Sequence, residues 1–344
     1  GGPHPVWAYA GIAPGAATVD RSATQLEILK LLGLACVFVV GLATGGADAR
    51  ARLAINAILA LGAAFAAWAF LGFVTTRGSG AARLEASFMS ANTAGTVFAA
   101  LLLLTAGPIA SRLRAGGPNR LASLALPAAA ALLFLICLFA TASRGALLGA
   151  VAGLVAVGGL QVLVGRTAPS RTLLIGGATA VVVLGLLAAA GDQMLTRLLG
   201  VNESVAARAL IGKVHWEAFL TSPLMGFGLG SFDTVNRMLL DGADFPELWS
   251  VRAAHNLYLG WLEQAGLLGA LPMFATIGCL VLVTLRRAAR RTRATQLIFA
   301  LVGADVVFLV HGVTDFALEM FSVAALWAFL LGLQFSLAQG SSTR

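Results

Sequence analysis

Charged residues are scarce in this chain of 344 residues, at 11%. A soluble domain carries about 25%. Hydrophobic residues make up 59% of the chain, and the mean hydropathy is +0.89. These proportions exclude a water-soluble enzyme, a disordered segment and a DNA-binding module, although the formal net charge is +8. The composition therefore predicts one polytopic membrane domain.

Cysteine and lysine are also rare. Cys36, Cys137 and Cys279 fall inside apolar runs, so a disulfide framework is not expected, and no metal-ligand spacing is present. Among 23 basic residues, only Lys30 and Lys213 are lysines. Arginine enrichment is typical of GC-rich coding, and a preference for forked phosphate-binding donors gives the same composition. The sequence predicts neither a metal nor another cofactor.

Apolar runs that could cross a membrane recur along the chain. A helix needs about 20 residues to cross the ~30 Å hydrocarbon layer. We place the spans at residues 26–44, 53–74, 92–110, 121–141, 145–164, 171–190, 266–285, 295–315 and 319–338. Transmembrane β-strands are excluded because these runs do not alternate polar and apolar residues. The predicted fold class is an all-α polytopic transmembrane helix bundle of about nine spans.

Basic residues concentrate in every second connection between spans. They are Arg50, Arg52, Arg112, Arg114, Arg120, Arg166, Arg171, Arg286, Arg287, Arg290, Arg291, Arg293 and Arg344. By the positive-inside rule these connections and the C-terminus face the cytoplasm, and the other connections face the periplasm of a bacterial inner membrane. The arginines are topology signals, so no nucleic-acid partner is predicted. The chain starts without Met on the outer side, and we expect further spans to precede it.

Three regions follow from this pattern. Residues 1–190 hold about six predicted spans, and residues 255–344 hold about three. Residues 191–254 form one long periplasmic loop of mixed composition, with short helical patterns. Loops of this length in a compact protein are usually functional.

The long loop has its own internal pattern. Residues 203–220 are typical of a helix, which Thr221-Ser222-Pro223 ends. Gly226, Gly228 and Gly230 then predict a tight turn. They are no dinucleotide fingerprint, because no strand precedes them and the segment lies outside.

Several arginines oppose the positive-inside bias because they lie on the predicted outer side. They are Arg83, Arg144, Arg208 and Arg252. Each could be an interfacial arginine or part of an ion pair. Their convergence on one face would favour an anionic ligand, since guanidinium groups match phosphate oxygens bidentately. Arg144 is the strongest candidate because it lies between two apolar helices, where an unpaired charge is costly.

Acid–base candidates lie on the same predicted side. His255, followed by Asn256, has an ordinary pKa near 6.5 that suits proton abstraction, although an interfacial helix start would look the same. Glu263 lies roughly 12 Å further along a continuous helix and is better explained as bonding a neighbouring helix. His311 and Asp315 are four residues apart and could form a rival acid–base pair on one helical face.

One ionisable residue falls in the middle of a predicted span. Asp305 is either functional or bonded to a neighbouring helix, and the sequence favours neither interpretation.

The order of these motifs resembles that of the O-antigen ligase and polymerase superfamily of bacterial polysaccharide membrane proteins. The motifs in chain order are Arg83-x-x-x-Ser87-Phe88-x-x-x-Asn92, Ser143-Arg144-Gly145-Ala146, Arg208, Pro223-Leu224-x-Gly226-x-Gly228-x-Gly230-x-Phe232, His255-Asn256-x-x-Leu259-x-x-x-Glu263-x-Gly266-x-x-Gly269 and His311-x-x-x-Asp315. Each motif is weak alone, whereas the ordered set is fairly specific and covers nearly the whole chain. One departure is Gly212, where the family usually has an aromatic residue; Trp216 follows a turn later.

The resemblance implies a metal-independent transfer of glycan from a polyprenyl-diphosphate donor. By position, Arg144 and Arg208 would grip the diphosphate, assisted by Arg83, and His255 would be the catalytic base. Arg252 and Asn256 would support them. A ligase that joins polysaccharide to lipid A-core ranks above a polymerase, and a protein O-oligosaccharyltransferase ranks third.

The alternative outside enzymes is a membrane transporter. Transport favours broken helices with polar residues near the bilayer midplane. In this sequence only Asp305 is predicted to lie so deep.

Overall fold

A computed structural model describes most of the chain. The described residues are 18–76, 83–88, 90–115, 119–165, 202–242, 245–291 and 293–340. They form eleven α-helices and one 3-10 helix, and no β-strand occurs among them. The predicted all-α class is confirmed.

The helices follow one another with short connections in most of the described chain. Their bounds are α1 Arg21–Gly45, α2 Asp48–Thr76, α3 Ala91–Ala115, α4 Arg120–Ala140, α5 Arg144–Leu163, α6 Asn202–Thr221, α7 Phe232–Leu239, α8 Phe245–Leu248, α9 Leu257–Ala288, α10 Thr295–His311 and α11 Phe321–Gln339. The 3-10 helix is Ala317–Glu319, between α10 and α11.

Seven of these helices are long and apolar enough to cross a membrane: α1 to α5, α9 and α11. The chain is therefore a multi-pass membrane protein, as its composition predicts. The span predicted at 295–315 is a shorter helix of 17 residues, because α10 ends at His311. The span predicted at 171–190 lies outside the described residues.

The chain divides into two compact units, each of which is described by itself. The loop unit consists of residues 1–36, 201–279 and 312–325. The span unit consists of residues 37–200, 280–311 and 326–344.

Two helices of the span unit are almost wholly inside it. In α3, 78% of the most apolar stretch is buried, compared with 22% in α4 and 28% in α5. Nearly all of α10 is buried too, and it packs on α3 and α5. A helix that is apolar on all sides is expected at such a central position.

Glycine allows α5 and α10 to approach closely. Gly149 and Gly153 are four residues apart and both face α10. A Cβ atom at Gly153 would lie only 2.7 Å from the carbonyl oxygen of Gly303. Small residues at this spacing bring helix backbones together in membranes, where the hydrophobic effect contributes little to helix association.

Buried polar groups in the span unit are bonded between helices. The carboxylate of Asp305 accepts a hydrogen bond from Trp327 Nε1 at 2.9 Å and another from Gln334 Nε2 at 2.6 Å. Both partners lie on α11, so Asp305 bonds a neighbouring helix. Arg291 donates to the carbonyl oxygen of Leu337 and, at 2.8 Å, to Asp48.

The loop unit contains the described part of the predicted periplasmic loop. The helix predicted at 203–220 is confirmed as α6, which ends at Thr221. The two short helices α7 and α8 follow it. Val19, Ala218, Phe227 and Val235 form a small apolar core in this unit.

Candidate functional site

His255 is held in an unusual backbone conformation just before α9. Its φ of 51° lies in the left-handed region, which is uncommon for a residue other than glycine and is found often at functional sites. The side chain is half-buried, and its ring meets the edge of Phe316 at a centroid distance of 4.9 Å. The Nδ1 atom is buried and has no hydrogen-bond partner in the described part of the chain. The ring is therefore held by packing, and among the described residues no hydrogen bond assigns a proton to Nδ1.

The structure brings Arg208 close to His255. Burial lowers the pKa of His255 below its ordinary value, and the positive charge of Arg208 lowers it further. Arg208 lies on α6 and is half-buried. A lowered pKa keeps the imidazole neutral at physiological pH, which is the form that accepts a proton.

His255 lines a cavity of about 470 Å³ in the loop unit. Arg252, Phe316 and Glu319 also line it. Pockets for small ligands have volumes of roughly 300–1,000 Å³, so this cavity is large enough for one. Guanidinium, imidazole and carboxyl groups thus surround one space.

Glu319, in the 3-10 helix, has a pKa raised to about 8. Burial is the main cause, and the charges of Glu27, Asp315 and Glu263 add to it. The charge of Lys30 opposes the shift. Glu319 is therefore largely protonated at neutral pH and can donate a hydrogen bond through its carboxyl group.

Asn256 and Arg252 have clear structural partners. Asn256 Oδ1 accepts hydrogen bonds from the backbone nitrogens of Tyr258 at 3.0 Å and Leu259 at 3.1 Å, so it caps the start of α9. Arg252 pairs with Asp233 of α7 at 2.5 Å. These contacts account for both residues without a ligand.

The glycine-rich turn docks on a break in α9. Gly266 has φ 58° and ψ −175°, a conformation that only glycine adopts readily. On the two sides of this break, Phe227 N donates to the Glu263 carbonyl oxygen at 3.0 Å, and Leu267 N donates to that of Pro223 at 2.8 Å. The turn therefore satisfies backbone groups that the break releases. The span predicted at 266–285 lies within α9, which begins nine residues earlier at Leu257 and is long and apolar enough as a whole to cross a membrane.

A buried hydrogen-bond network lies next to the turn. His215 Nδ1 bonds Glu263 Oε1 at 2.8 Å, and His215 Nε2 bonds Asn236 Oδ1 at 3.1 Å. All three side chains are fully buried, and the His215 ring stacks on Phe232. Glu263 therefore bonds a neighbouring helix, as its position predicts.

His215 is not among the site residues predicted from the sequence. Its spacing fits no metal site, and among the described residues no His, Cys, Asp and Glu side chains cluster to hold a metal ion. A usable signal was present, however: Ile211, His215, Ala218 and Phe219 are spaced as one buried face of α6. A histidine on such a face needs polar partners.

Arg83 and Arg144 belong to the span unit. Arg83 donates to the carbonyl oxygen of Thr141 and to Asn92 Oδ1, both at 2.8 Å. It thereby fastens the segment before α3 to the end of α4. Arg144 is the first residue of α5 and half-buried, and Ser143 caps that helix by accepting from Ala146 N at 3.4 Å.

The helical face that was predicted to carry both His311 and Asp315 does not extend to Asp315. α10 ends at His311 and a turn follows, so Asp315 does not continue the helix. His311 is buried instead against α3, where its Nδ1 bonds Thr96 Oγ1 at 2.5 Å. Asp315 is buried in the loop unit.

Comparison with known proteins identifies a family over part of the chain. Residues 129–274 match the family model described as O-antigen ligase. The match contains Arg144, Arg208 and His255, and it confirms the resemblance to this superfamily over that stretch. No curated protein matches the chain significantly.

Proposed function

We propose that this protein is an O-antigen ligase, which transfers a polyprenyl-diphosphate-linked glycan to a hydroxyl group of lipid A-core. The family match supports a function of the O-antigen ligase or polymerase type. The distribution of arginines supports an inner-membrane location with the active face in the periplasm and the C-terminus in the cytoplasm. Because the periplasm lacks nucleotide sugars, the donor must arrive already activated on its lipid.

The environment of His255 is the observation that carries the proposal. His255 is half-buried and has a lowered pKa, and its buried Nδ1 has no bond to any described residue. It lines a cavity together with Arg252 and lies near the charge of Arg208. Buried ring nitrogens of structural histidines are usually hydrogen-bonded, as both nitrogens of His215 are. His255 is instead suited to take up and release a proton.

This arrangement supports the following reaction. His255 removes the proton from an acceptor hydroxyl as the oxygen attacks the anomeric carbon of the donor glycan. The bond between that carbon and the diphosphate oxygen breaks, and the electron pair leaves with the polyprenyl diphosphate. Arg208 stabilises the negative charge that develops on this leaving group.

Arg144 and Arg83 have separate assignments. Arg144 keeps the diphosphate-binding role that the resemblance implies. Arg83 holds the turn before Arg144, since two of its donor groups bond Thr141 and Asn92. Neither the described chemistry nor the proposed roles involve a metal.

Deletion of the gene and complementation with variants tests the proposal. Without a ligase, lipopolysaccharide gels should show bare cores, with long polymer still attached to its lipid carrier. Complementation with His255→Ala or Arg208→Ala should not restore lipopolysaccharide, so the bare cores should remain. Arg144→Ala tests the diphosphate-binding role of Arg144 separately. Trp249→Ala is the control, because Trp249 is exposed, with a relative solvent accessibility of 53%. Cores that carry one repeat would show a polymerase instead, and normal lipopolysaccharide in His255→Ala would overturn the mechanism.

A further inference from the structure

A second cavity lies in the loop unit and has no part in the mechanism above. Its volume is about 250 Å³. The start of α1, the glycine-rich turn, α7, the first part of α9 and the segment around the 3-10 helix enclose it. Its polar and aromatic lining includes Glu27, Asp233, Trp261, Gln264 and Glu319.

The charges of this cavity do not favour an anionic ligand. Both cations in its lining are paired: Lys30 with Glu27 at 2.5 Å, and Arg252 with Asp233 at 2.5 Å. Glu319 adds a third carboxyl group to the lining. A diphosphate would have to displace a carboxylate from each cation, so it fits this space poorly.

The lining instead matches the surface of a neutral sugar ring. Trp261 is half-buried in the lining, and its indole is the kind of flat apolar surface that the C–H face of a sugar ring packs against. Carboxyl oxygens of Glu27 and Asp233 can accept hydrogen bonds from ring hydroxyl groups. A few polar groups placed around apolar walls are the usual construction of a small-molecule site.

The polar side chains are held in place around the cavity. Gln264 Oε1 accepts a hydrogen bond from Gly230 N at 2.7 Å, which orients its amide. Gly260 leaves room for the carboxyl group of Glu319, because a Cβ atom there would lie 3.3 Å from Glu319 Oε1. Groups fixed before binding lose less entropy when a ligand arrives.

Two residues, Arg252 and Glu319, line both this cavity and the cavity of His255. A sugar ring in the first cavity would therefore lie beside the space into which His255 faces. We propose that this cavity binds a neutral sugar ring of the acceptor glycan and presents its hydroxyl group to His255. The inference rests on the proposed function for the identity of the acceptor, whereas sugar binding itself does not require catalysis.

Direct binding tests the inference apart from the reaction. The probe is core oligosaccharide released from lipopolysaccharide, titrated into purified full-length His255→Ala protein in nanodiscs and followed by calorimetry. Adding Trp261→Ala should raise the Kd about tenfold, the size expected when a buried aromatic anchor is lost. Trp261→Phe should retain part of the affinity. Trp249→Ala is the matched control and should leave the Kd unchanged.

A second variant crowds two residues of the cavity lining instead of removing one. Gly260→Ala places a methyl group against Glu319 and Gln264, and alanine is favoured in a helix, so the fold should persist. Weaker oligosaccharide binding is expected. If Trp261→Ala and Gly260→Ala both bind the oligosaccharide as tightly as the parent His255→Ala protein, the inference is overturned.

Steady-state transfer by protein that retains His255 distinguishes a sugar of the acceptor from a sugar of the lipid-linked donor. Trp261→Ala should raise the KM for the acceptor and leave that for the lipid-linked donor unchanged. A rise for the donor alone would overturn the acceptor assignment. Full activity of the His255→Ala protein would defeat the proposed function but not the binding result.

Discussion

Two histidines of the loop unit differ in their surroundings. His215 is fully buried, both its ring nitrogens are bonded, and its ring stacks on Phe232 at a centroid distance of 4.2 Å. His255 is half-buried in a left-handed backbone conformation, and its Nδ1 has no hydrogen-bond partner in the described part of the chain. The first region uses an imidazole to join α6, α7 and α9, and the second leaves an imidazole facing a cavity.

This difference indicates which features separate a structural histidine from one that acts as a base. A network of buried hydrogen bonds rigidifies a protein, and breaking it leaves polar groups buried without partners. A base must instead exchange its proton with a ligand. Burial alone does not distinguish the two, since both rings are removed at least in part from solvent.

The largest expected effect comes from exchanging each histidine for alanine. His215→Ala should lower the free energy of unfolding by about 3 kcal/mol or more, because Glu263 and Asn236 lose their buried partner. His255→Ala should retain the wild-type melting temperature but lose about 100-fold or more in transfer rate, as expected for a general base. Thermal unfolding in detergent and transfer to lipid A-core measure the two effects.

His215→Asn and His255→Asn serve as matched controls, because both retain a polar side chain. Asparagine at 215 should recover part of the stability, and asparagine at 255 should not recover transfer. The comparison fails if His255→Ala unfolds as readily as His215→Ala, or if His215→Ala loses activity at full stability.

The next effect concerns the break in α9 on which the glycine-rich turn docks. Gly266→Ala should destabilise the protein by at least about 1–3 kcal/mol, since alanine is strained in this backbone conformation. Its Cβ atom would also lie 2.3 Å from the Leu224 carbonyl oxygen. The melting temperature should fall, and the His255 cavity should be disturbed with it.

Gly278→Ala, further along α9, is the control. Nothing lies within 4 Å of a Cβ atom there, so the added methyl group should be neutral or stabilise the helix. A Gly266→Ala protein as stable as Gly278→Ala would mean that the break does not depend on glycine.

Much of the fold could be predicted from the sequence, because apolar runs of membrane length have few alternatives to a helix. The end of α6 at Thr221 was predictable from Ser222 and Pro223. The start of α9 at Leu257 was not predictable. The apolar run begins only at Gly266, and the first part of the helix carries Glu263. The only sign of the α9 break in the sequence is the glycine at position 266.

Less of the candidate site could be predicted. Arg208 and His255 came from the ordered motifs, and the structure places the charge of Arg208 near His255. The bond of His215 to Glu263 joins residues 48 apart in the chain, and no local spacing encodes such a pairing. The sugar-sized cavity is likewise assembled from distant segments, so Glu27, Trp261 and Glu319 carry no signal of their own.

A smaller effect should appear in the pH dependence of transfer. The positive charge of Arg208 lowers the pKa of His255, so Arg208→Gln should raise that pKa and move the acid limb of kcat/KM to higher pH. Arg208→Lys keeps the charge and should leave the limb nearer its wild-type position. An unmoved limb in Arg208→Gln would show that His255 is not the group that titrates, or that Arg208 does not act on it.

The last expected effect is on the pH dependence of stability, and it arises from Glu319. Its pKa is about 8 in the folded protein and near 4.5 ordinarily. Between these values the folded state holds a proton that the unfolded state releases, so the free energy of unfolding should fall as pH rises through this window. The contribution is complete below about pH 4.5 and lost above about pH 8.

Glu319→Gln removes this titration, because glutamine resembles the protonated acid at every pH. Melting temperatures from pH 5 to pH 8 should therefore decline less steeply in the variant than in the wild type. Glu247→Gln is the control, since Glu247 is exposed on α8 and its loss should leave the slope unchanged. Equal slopes in all three proteins would show that Glu319 is ionised at neutral pH. His255 would then face a carboxylate, which would raise its pKa rather than help to keep it neutral.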